Sequence, residues 1–154
     1  MVDFKTDLIT DFSHPQFQEA FKQYFKELEI EVEDYDSLFK EFTEEGGNEA
    51  FVAAASPSEI IGFIQFKTDK LSNWFFEENI GFIREFWICP KFREKGFGAA
   101  LLKQAETHFL KQGLHKVVLT SDTAPLFYLK QGYHKDLSYK PINKIEVFTK
   151  LLDA

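Results

Sequence analysis

Hydrophobic positions follow a helical period early in the chain and a strand-like period further on. Between residues 15 and 28, apolar side chains recur at steps of three and four residues, which predicts an amphipathic helix. Ser13 stands three residues before Gln16, the spacing of a capping box, and Pro15 suits a first helical turn. We therefore expect Ser13 to be the N-cap. The apolar stripe of this helix comprises Phe17, Ala20, Phe21, Tyr24, Phe25 and Leu28.

The rest of the chain alternates between strand and helix patterns. Further helices are expected at residues 37–45, which Gly46 and Gly47 terminate, 98–112 and 124–131. Strands are expected at residues 4–10, 49–55, 59–67, 80–88, 116–120, 133–137 and 144–152. This order predicts an α/β (α+β) fold with one mixed, mostly antiparallel sheet of about six to seven strands and helices on both faces.

Length and composition indicate a folded domain. The 154 residues suit one domain over residues 1–154, and an apolar fraction of 44% excludes a disordered chain. No apolar run approaches the roughly 18 residues of a membrane span. The polar, acidic first residues are not those of a secretory signal, and a lone cysteine, Cys89, fits a reducing compartment. We expect a cytoplasmic protein without a membrane partner.

The charge is unevenly distributed. The net charge is −7, which argues against a nucleic-acid partner. Residues 1–60 carry 4 basic and 15 acidic side chains, whereas residues 61–154 carry 14 basic and 10 acidic ones. The second part could hold a phosphate-bearing ligand. The first could attract a cation, or its acidic side chains could simply be solvated.

The most informative segment joins the strand at residues 80–88 to the helix at residues 98–112. Its loop contains Arg93, Lys95, Gly96 and Gly98. The first amides of a helix have no partner within the helix and carry partial positive charge. Glycines let an anion approach the backbone, and the two basic side chains add formal charge. The segment therefore predicts a phosphate or diphosphate site.

Two common phosphate loops are excluded by spacing. G-x-x-x-x-G-K-S/T is absent, and Gly96-x-Gly98 is not followed by the third glycine of a dinucleotide fingerprint. The pattern that remains, R-x-x-G-x-G after an apolar strand and Pro90, resembles the acyl-CoA-binding motif of the GNAT N-acetyltransferase superfamily. A second block, K-V-V-L-T followed by A-P-L-F-Y-L-K-Q-G-Y at residues 124–133, resembles a closing element of the same family. Together the blocks span residues 80–133.

The resemblance implies acetyl-CoA as the donor and a GNAT fold whose central parallel strands, residues 83–88 and 116–120, splay apart around the pantetheine arm. A backbone N–H near Ile88 would polarise the thioester carbonyl. The family often has Asn where this chain has Ser121, which leaves that side chain's role open. The implied cofactor-binding residues are Trp87, Ile88, Arg93, Glu94, Lys95, Gly96, Phe97, Gly98, Ala99 and Ser121.

Two side chains are the predicted catalytic residues. Tyr128 falls where the family places its general acid, and its alternative is a place in the helix core. Glu85, on the splayed strand, is the best candidate for the base, directly or through a water. Its alternative is an ion pair with a neighbouring strand, and Asp122 is a weaker substitute. The four histidines show no metal-ligand spacing, so no metal is expected.

The resemblance predicts an N-acetyltransferase that acts on a primary amine. Six acidic residues in the N-terminal helical region suggest a small cationic acceptor: Glu27, Glu29, Glu31, Glu33, Asp34 and Asp36. Tyr35, Trp74, Phe75 and Phe76 could line its pocket or belong to the core. The alternatives are a non-catalytic acyl-CoA-binding regulatory module, a protein or peptide N-acetyltransferase, and a longer acyl donor. A homodimer is possible.

Overall fold

The computed structural model describes residues 4–72, 75, 77–121, 124–139 and 145–153. Its strands are β1 (Lys5–Ile9), β2 (Asn48–Ser56), β3 (Glu59–Ser72), β4 (Glu77–Ile88), β5 (Lys116–Thr120), β6 (His134–Lys135) and β7 (Val147–Leu151). Its helices are α1 (Pro15–Glu27), α2 (Tyr35–Glu45), α3 (Phe97–Lys111) and α4 (Pro125–Lys130), with a 3-10 turn at Pro90–Phe92. None of the helices in these ranges is long and apolar enough to cross a membrane.

The strands form one seven-stranded mixed sheet in the order β1-β2-β3-β4-β5-β7-β6. β1 pairs antiparallel with β2, and β7 pairs antiparallel with both β5 and β6. β4 and β5 run parallel and pair at two positions, Gly81 with Val117 and Phe82 with Val118. The predicted fold class, a mixed sheet with a parallel strand pair and helices, is confirmed.

The predicted N-cap of α1 is wrong. α1 begins at Pro15, and the side chain of His14 accepts a hydrogen bond from the Phe17 amide at 3.2 Å. The Ser13 amide instead donates to Asp11 Oδ1, 3.0 Å away. Because Pro15 occupies the first helical position, the residue directly before it is the one that caps.

Helix α2 also begins earlier than expected. The Asp34 carboxylate accepts a hydrogen bond from the Ser37 amide at 3.1 Å, so the helix starts at Tyr35. Gly46 ends it at φ +77°, as predicted. The strand expected at residues 133–137 is reduced to His134–Lys135, and the one expected at 144–152 begins at Val147.

The chain divides into two compact units. The first comprises residues 1–66 and 85–105, and the second comprises residues 67–84 and 106–154. In the first unit, α1 and α2 bury a cluster of phenylalanines with β2 and β3. Most of the neighbouring rings meet edge-on or tilted, with centroids 5.0–6.3 Å apart. The cluster includes Phe12, Phe17, Phe21, Phe39, Phe42 and Phe63.

The second unit has its own core, and it buries the carboxylate of an ion pair. Ile80, Val118 and Val147 form a small apolar cluster. Glu106, only 3% exposed, accepts hydrogen bonds from Lys150 Nζ at 3.0 Å and from the Tyr133 hydroxyl at 2.8 Å. The carboxylate is therefore buried with a charged partner and a hydroxyl donor, as a buried charge requires.

One buried polar group of the first unit has no such partners. Gln65, on β3, is 0% exposed, and within the described part of the chain neither its amide nitrogen nor its oxygen has a hydrogen-bond partner. We expect Gln65→Leu to raise the free energy of unfolding by about 1–3 kcal/mol, because it removes two unpaired polar atoms. Urea denaturation measures the change. Gln23→Leu, at an exposed position of α1, is the control. A loss of stability in Gln65→Leu would contradict this prediction.

Candidate functional site

The C-terminal end of β4 is fixed against β3 within the first unit. The Cys89 amide donates to the Ile61 carbonyl at 2.7 Å. Opposite this end, Gly62 leaves no room for a side chain, since a Cβ there would lie 2.2 Å from the Trp87 carbonyl oxygen and 2.9 Å from Ile88 Cα. β3 therefore holds the backbone of Trp87 and Ile88 in one position.

A tight loop follows and leads into α3. After the 3-10 turn, Glu94 has φ +60° and Gly96 has φ +90°. The left-handed conformation strains a non-glycine residue such as Glu94, and strain of this kind is concentrated at functional sites. The Phe97 ring packs edge-on against Phe4 and Phe92, at centroid distances of 5.4 and 5.6 Å, which anchors the start of the helix.

The first turn of α3 has amides that find no partner within the helix. Gly96 O accepts the first hydrogen bond of the helix, from the Ala100 amide at 3.1 Å. The amides of Phe97, Gly98 and Ala99 precede this bond and so have no partner within the helix. The preceding loop residues Arg93, Glu94 and Lys95 are exposed. The segment thus combines helix amides, a glycine-rich backbone and basic side chains, the features that bind a diphosphate.

Arg93 is already oriented by two contacts in the first unit. Its Nε donates to the Ile88 carbonyl at 2.8 Å, and its Nη2 donates to Glu27 Oε1 at 2.7 Å. The same Glu27 oxygen accepts from Trp87 Nε1 at 2.9 Å. The hydrogen bond from Arg93, followed by that from Trp87, lowers the pKa of the Glu27 carboxyl. Glu27 therefore joins two of the predicted cofactor-binding residues.

The sequence groups Glu27 with the acids of the acceptor region and does not predict its contact with Arg93. Glu27 ends α1, and its partners lie 60 and 66 residues away in the chain. A single sequence holds no signal for a pair at this separation.

Glu85 is half-buried on β4, and its Oε1 accepts a hydrogen bond from the Tyr24 hydroxyl at 2.8 Å. This contact comes from α1, which belongs to the same unit. The hydrogen bond from the phenol fixes the orientation of the carboxylate.

Tyr128 and Ser121 belong to the second unit. Tyr128 is 8% exposed, and its ring packs edge-on against Phe127 and Tyr133. Burial raises the pKa of the Tyr128 phenol well above its usual range. The phenol therefore keeps its proton, but this shift is opposite to one that would ease its release.

Ser121 is buried at the end of β5. Its Oγ accepts a hydrogen bond from the Ala124 amide at 3.2 Å, and its own amide donates to the Glu146 carbonyl at 3.0 Å. The hydroxyl thus tethers the start of α4. Asp122, the substitute base, lies outside the described residues.

The acidic residues expected around an acceptor have different surroundings. Glu27 is bound to Arg93, and Asp34 caps α2 through Ser37. The remaining four are exposed: Glu29, Glu31, Glu33 and Asp36. Apolar Leu28 and Ile30, 43% and 44% exposed, stand beside them.

The predicted pocket aromatics are only partly described. Tyr35 stacks on Phe39 at a centroid distance of 5.7 Å and so extends the core of the first unit. Phe75 is 93% exposed. Trp74 and Phe76 lie outside the described residues.

A metal centre and a cavity are two further features that could form a site. Across the described ranges, no three His, Cys, Asp or Glu side chains are placed to hold a metal ion. A cavity of about 360 Å³ lies in the first unit between α2 and the β1–α1 connection, where Asp11, Phe39 and Lys40 contribute to its wall. Its wall includes Asp36, one of the acids expected near the acceptor, but none of the predicted catalytic or cofactor-binding residues.

Comparisons with known proteins identify the family and the fold of this chain. The family model described as the acetyltransferase (GNAT) family matches residues 9–133. No curated protein sequence matches the chain. Among solved structures, an acetyltransferase from Clostridium acetobutylicum with acetyl-CoA is similar at a TM-score of 0.75 and 14% identity, covering 92% of this chain and 96% of that one.

Two further similar structures differ in what they bind. One is an aminoglycoside acetyltransferase from an uncultured soil metagenomic sample in complex with sisomicin, with TM-score 0.65, 17% identity, and 82% and 83% of the two chains covered. The other is the NatC complex bound to Gag peptide and CoA, with TM-score 0.67, 15% identity and 99% of each chain covered. At these identities the likeness is one of fold.

The contact between Gly62 and the end of β4 yields a stability prediction. We expect Gly62→Ala to lower the free energy of unfolding by about 1–3 kcal/mol or more, because the new Cβ meets backbone that cannot rotate away. Gly81→Ala is the matched variant, since the nearest atoms to its Cβ would be those of the Phe109 ring, at 2.6 Å. Phe109→Leu should therefore recover part of the loss for Gly81→Ala and none for Gly62→Ala. Urea denaturation of Gly62→Ala and Gly81→Ala, each alone and combined with Phe109→Leu, measures these changes in stability. Recovery of stability in both combined variants would contradict the prediction.

Proposed function

Because the chain belongs to the GNAT family of acetyltransferases, whose acyl donor is acetyl-CoA, we propose that it transfers the acetyl group directly to the primary amine of a small cationic acceptor. One observation supports this acceptor class: the exposed acids from the end of α1 to the first turn of α2, at residues 29–36, stand in the same unit as Glu85 and the proposed donor loop. We further propose one acyltransferase domain over residues 1–154 and a cytoplasmic location.

The donor is proposed to bind along β4 and the start of α3. The amides of Phe97, Gly98 and Ala99 receive the diphosphate, and Arg93 and Lys95 add positive charge. Glu94 and Gly96 contribute the left-handed turns that let the loop close on it. The pantetheine arm, rich in amides, pairs with the backbone of Trp87 and Ile88 like an added strand. Ser121 contributes its hydroxyl as a hydrogen-bonding group.

The chemical step joins the acceptor nitrogen to the thioester carbonyl carbon and breaks the carbon–sulfur bond. The amine reacts through its lone pair, so Glu85 takes its proton, directly or through a water. Tyr24 holds the carboxylate in position for this. A backbone N–H near Ile88 stabilises the negative charge that develops on the carbonyl oxygen.

Tyr128 is proposed to give its proton to the departing thiolate. A phenol with a raised pKa is a weak acid towards a thiol, whose ordinary pKa is about 8.5. Exclusion of water around the bound donor raises the pKa of the thiol in the same way, so the two values approach each other when the site is occupied.

A peptide acceptor and a non-catalytic acetyl-CoA-binding module are the alternatives to this function. The NatC complex shows that this fold also accommodates a peptide, whereas the sisomicin complex supports a small cationic amine. The exposed acids favour the second. A regulatory module that binds acetyl-CoA without catalysis is disfavoured by the ordered Tyr24–Glu85 pair, which such a module does not need.

An acceptor panel tests the proposed function. We expect acetyl-CoA-dependent release of CoA thiol with polyamines, amino sugars and lysine-like amines, and much slower release with a neutral primary amine or an N-terminal peptide. Replacing Glu29, Glu31 and Glu33 together by Gln should raise KM for the cationic amines about tenfold, since each removes an attractive charge, and should leave KM for the neutral amine unchanged.

The matched control is a triple variant at exposed acids elsewhere on the two helices. It combines Glu19→Gln in α1 with Glu41→Gln and Glu44→Gln in α2. It changes net charge by the same amount. An equal rise of KM in this control would show a general charge effect and refute the acceptor proposal. Calorimetric binding of acetyl-CoA without thiol release for any amine would instead identify the non-catalytic module.

The catalytic side chains have separate signatures. We expect Glu85→Gln and Tyr128→Phe each to lower kcat by about 10²-fold or more, the range of general acid–base catalysis, with donor affinity preserved. The pKa of Tyr128 is raised, so its ionisation should cause no fall of wild-type kcat below about pH 10. Tyr24→Phe should lower kcat less than Glu85→Gln. Steady-state pH profiles measure these effects. Full activity in Tyr128→Phe would remove it as the acid.

A further inference from the structure

We propose that Glu27 is a positioning residue for the acyl donor, which holds the Arg93 guanidinium in place for the diphosphate before the donor arrives. The inference deepens the proposed function and rests on the role of Arg93 in it. Glu27 lies outside the sequence motif that predicts the donor site and would not be assigned to it from the sequence.

The arrangement fixes Arg93 at two points. Nε bonds to the Ile88 carbonyl and one Nη2 hydrogen bonds to Glu27 Oε1, at 2.8 and 2.7 Å. A guanidinium has five N–H donors, so three remain for an anion. Arg93 can therefore bind a phosphate group without leaving Glu27.

Glu27 is itself held in place. Its Oε1 also accepts from the indole N–H of Trp87, at 2.9 Å, and Trp87 is 6% exposed within the phenylalanine cluster of the first unit. The guanidinium is thereby tied to the two last residues of β4, Ile88 directly and Trp87 through Glu27. These are the residues proposed to pair with the pantetheine arm, so the diphosphate contact and the pantetheine contact share one rigid support.

Two opposing effects follow from the carboxylate. An exposed arginine loses several rotatable bonds when a ligand fixes it, and prior fixation by Glu27 reduces that loss on binding. The negative charge of Glu27 also repels the diphosphate and weakens binding. Both hydrogen bonds made by Oε1 can be kept without the charge, because the amide oxygen of Gln accepts in the same place. The two effects are therefore separable by substitution.

Calorimetric titration of acetyl-CoA into five variants tests the proposal: Glu27→Ala, Glu27→Gln, Arg93→Ala, the double variant Glu27→Ala/Arg93→Ala, and the control Glu19→Ala on the exposed part of α1. We expect Kd to rise about fivefold to tenfold in Glu27→Ala and to stay within about twofold of wild type, or fall, in Glu27→Gln. The double variant should bind as Arg93→Ala does, since Glu27 acts through Arg93. Glu19→Ala should bind as wild type does.

A donor without the diphosphate supplies the second readout. Acetyl-pantetheine should show the same kcat/KM with wild type and Glu27→Ala, because it makes no contact with Arg93. A purely structural role of Glu27 would lower this value too. Thermal denaturation verifies folding, and Glu27→Met, similar in length and without an acceptor oxygen, replaces Glu27→Ala should the latter unfold.

Each contrary result has a distinct meaning. Tighter binding in both Glu27→Ala and Glu27→Gln would show that Glu27 withholds Arg93 from the donor and would overturn the proposal. Unchanged binding in Glu27→Ala, or additive losses in the double variant, would overturn it as well while leaving the donor site intact. Wild-type affinity in Arg93→Ala would refute the proposed role of Arg93, and the inference about Glu27 with it.

Discussion

Three backbone amides at the start of α3 are the constraint on which the proposed donor site depends. The helix ladder begins at Gly96, so the N–H groups of Phe97, Gly98 and Ala99 need a partner from outside the helix. The left-handed turns at Glu94 and Gly96 lead the chain into this helix, and the Phe97 ring anchors its first turn against Phe4 and Phe92. An anion that supplies acceptors satisfies these amides and offsets the strain of the loop.

The local part of this arrangement was predictable from the sequence. The loop between β4 and α3 is predicted by three local signals: the apolar strand before it, Pro90 and the spacing of the glycines. The structure has the loop at these residues. The error at α1 was also local. Ser13 and His14 are both able to cap, and the position of Pro15 decides between them, since Pro is favoured at the first helical residue and His14 precedes it.

Contacts between distant parts of the chain were not predictable. Glu27 meets Arg93 across 66 residues, and Tyr24 meets Glu85 across 61. Both pairs depend on how α1 lies against β4, which is set by the packing of the phenylalanine cluster and not by any local pattern. An acidic run in a sequence shows only charge. All six acids are exposed, but the structure separates Glu27, which orients Arg93, and Asp34, which caps α2, from the other four.

The raised pKa of Tyr128 bears on how such a site controls its chemistry. A phenol that loses its proton easily would protonate the leaving thiolate readily, but it would also be partly ionised before the donor binds. Burial against Phe127 and Tyr133 keeps Tyr128 neutral in the resting protein. Transfer of the proton to a thiolate is then favourable only where the thiolate is also shielded from water. The negative charge in that case moves from one desolvated group, the thiolate, to another, the phenolate. In the proposed mechanism, the burial that raises the pKa of Tyr128 therefore couples transfer of its proton to the binding of a donor.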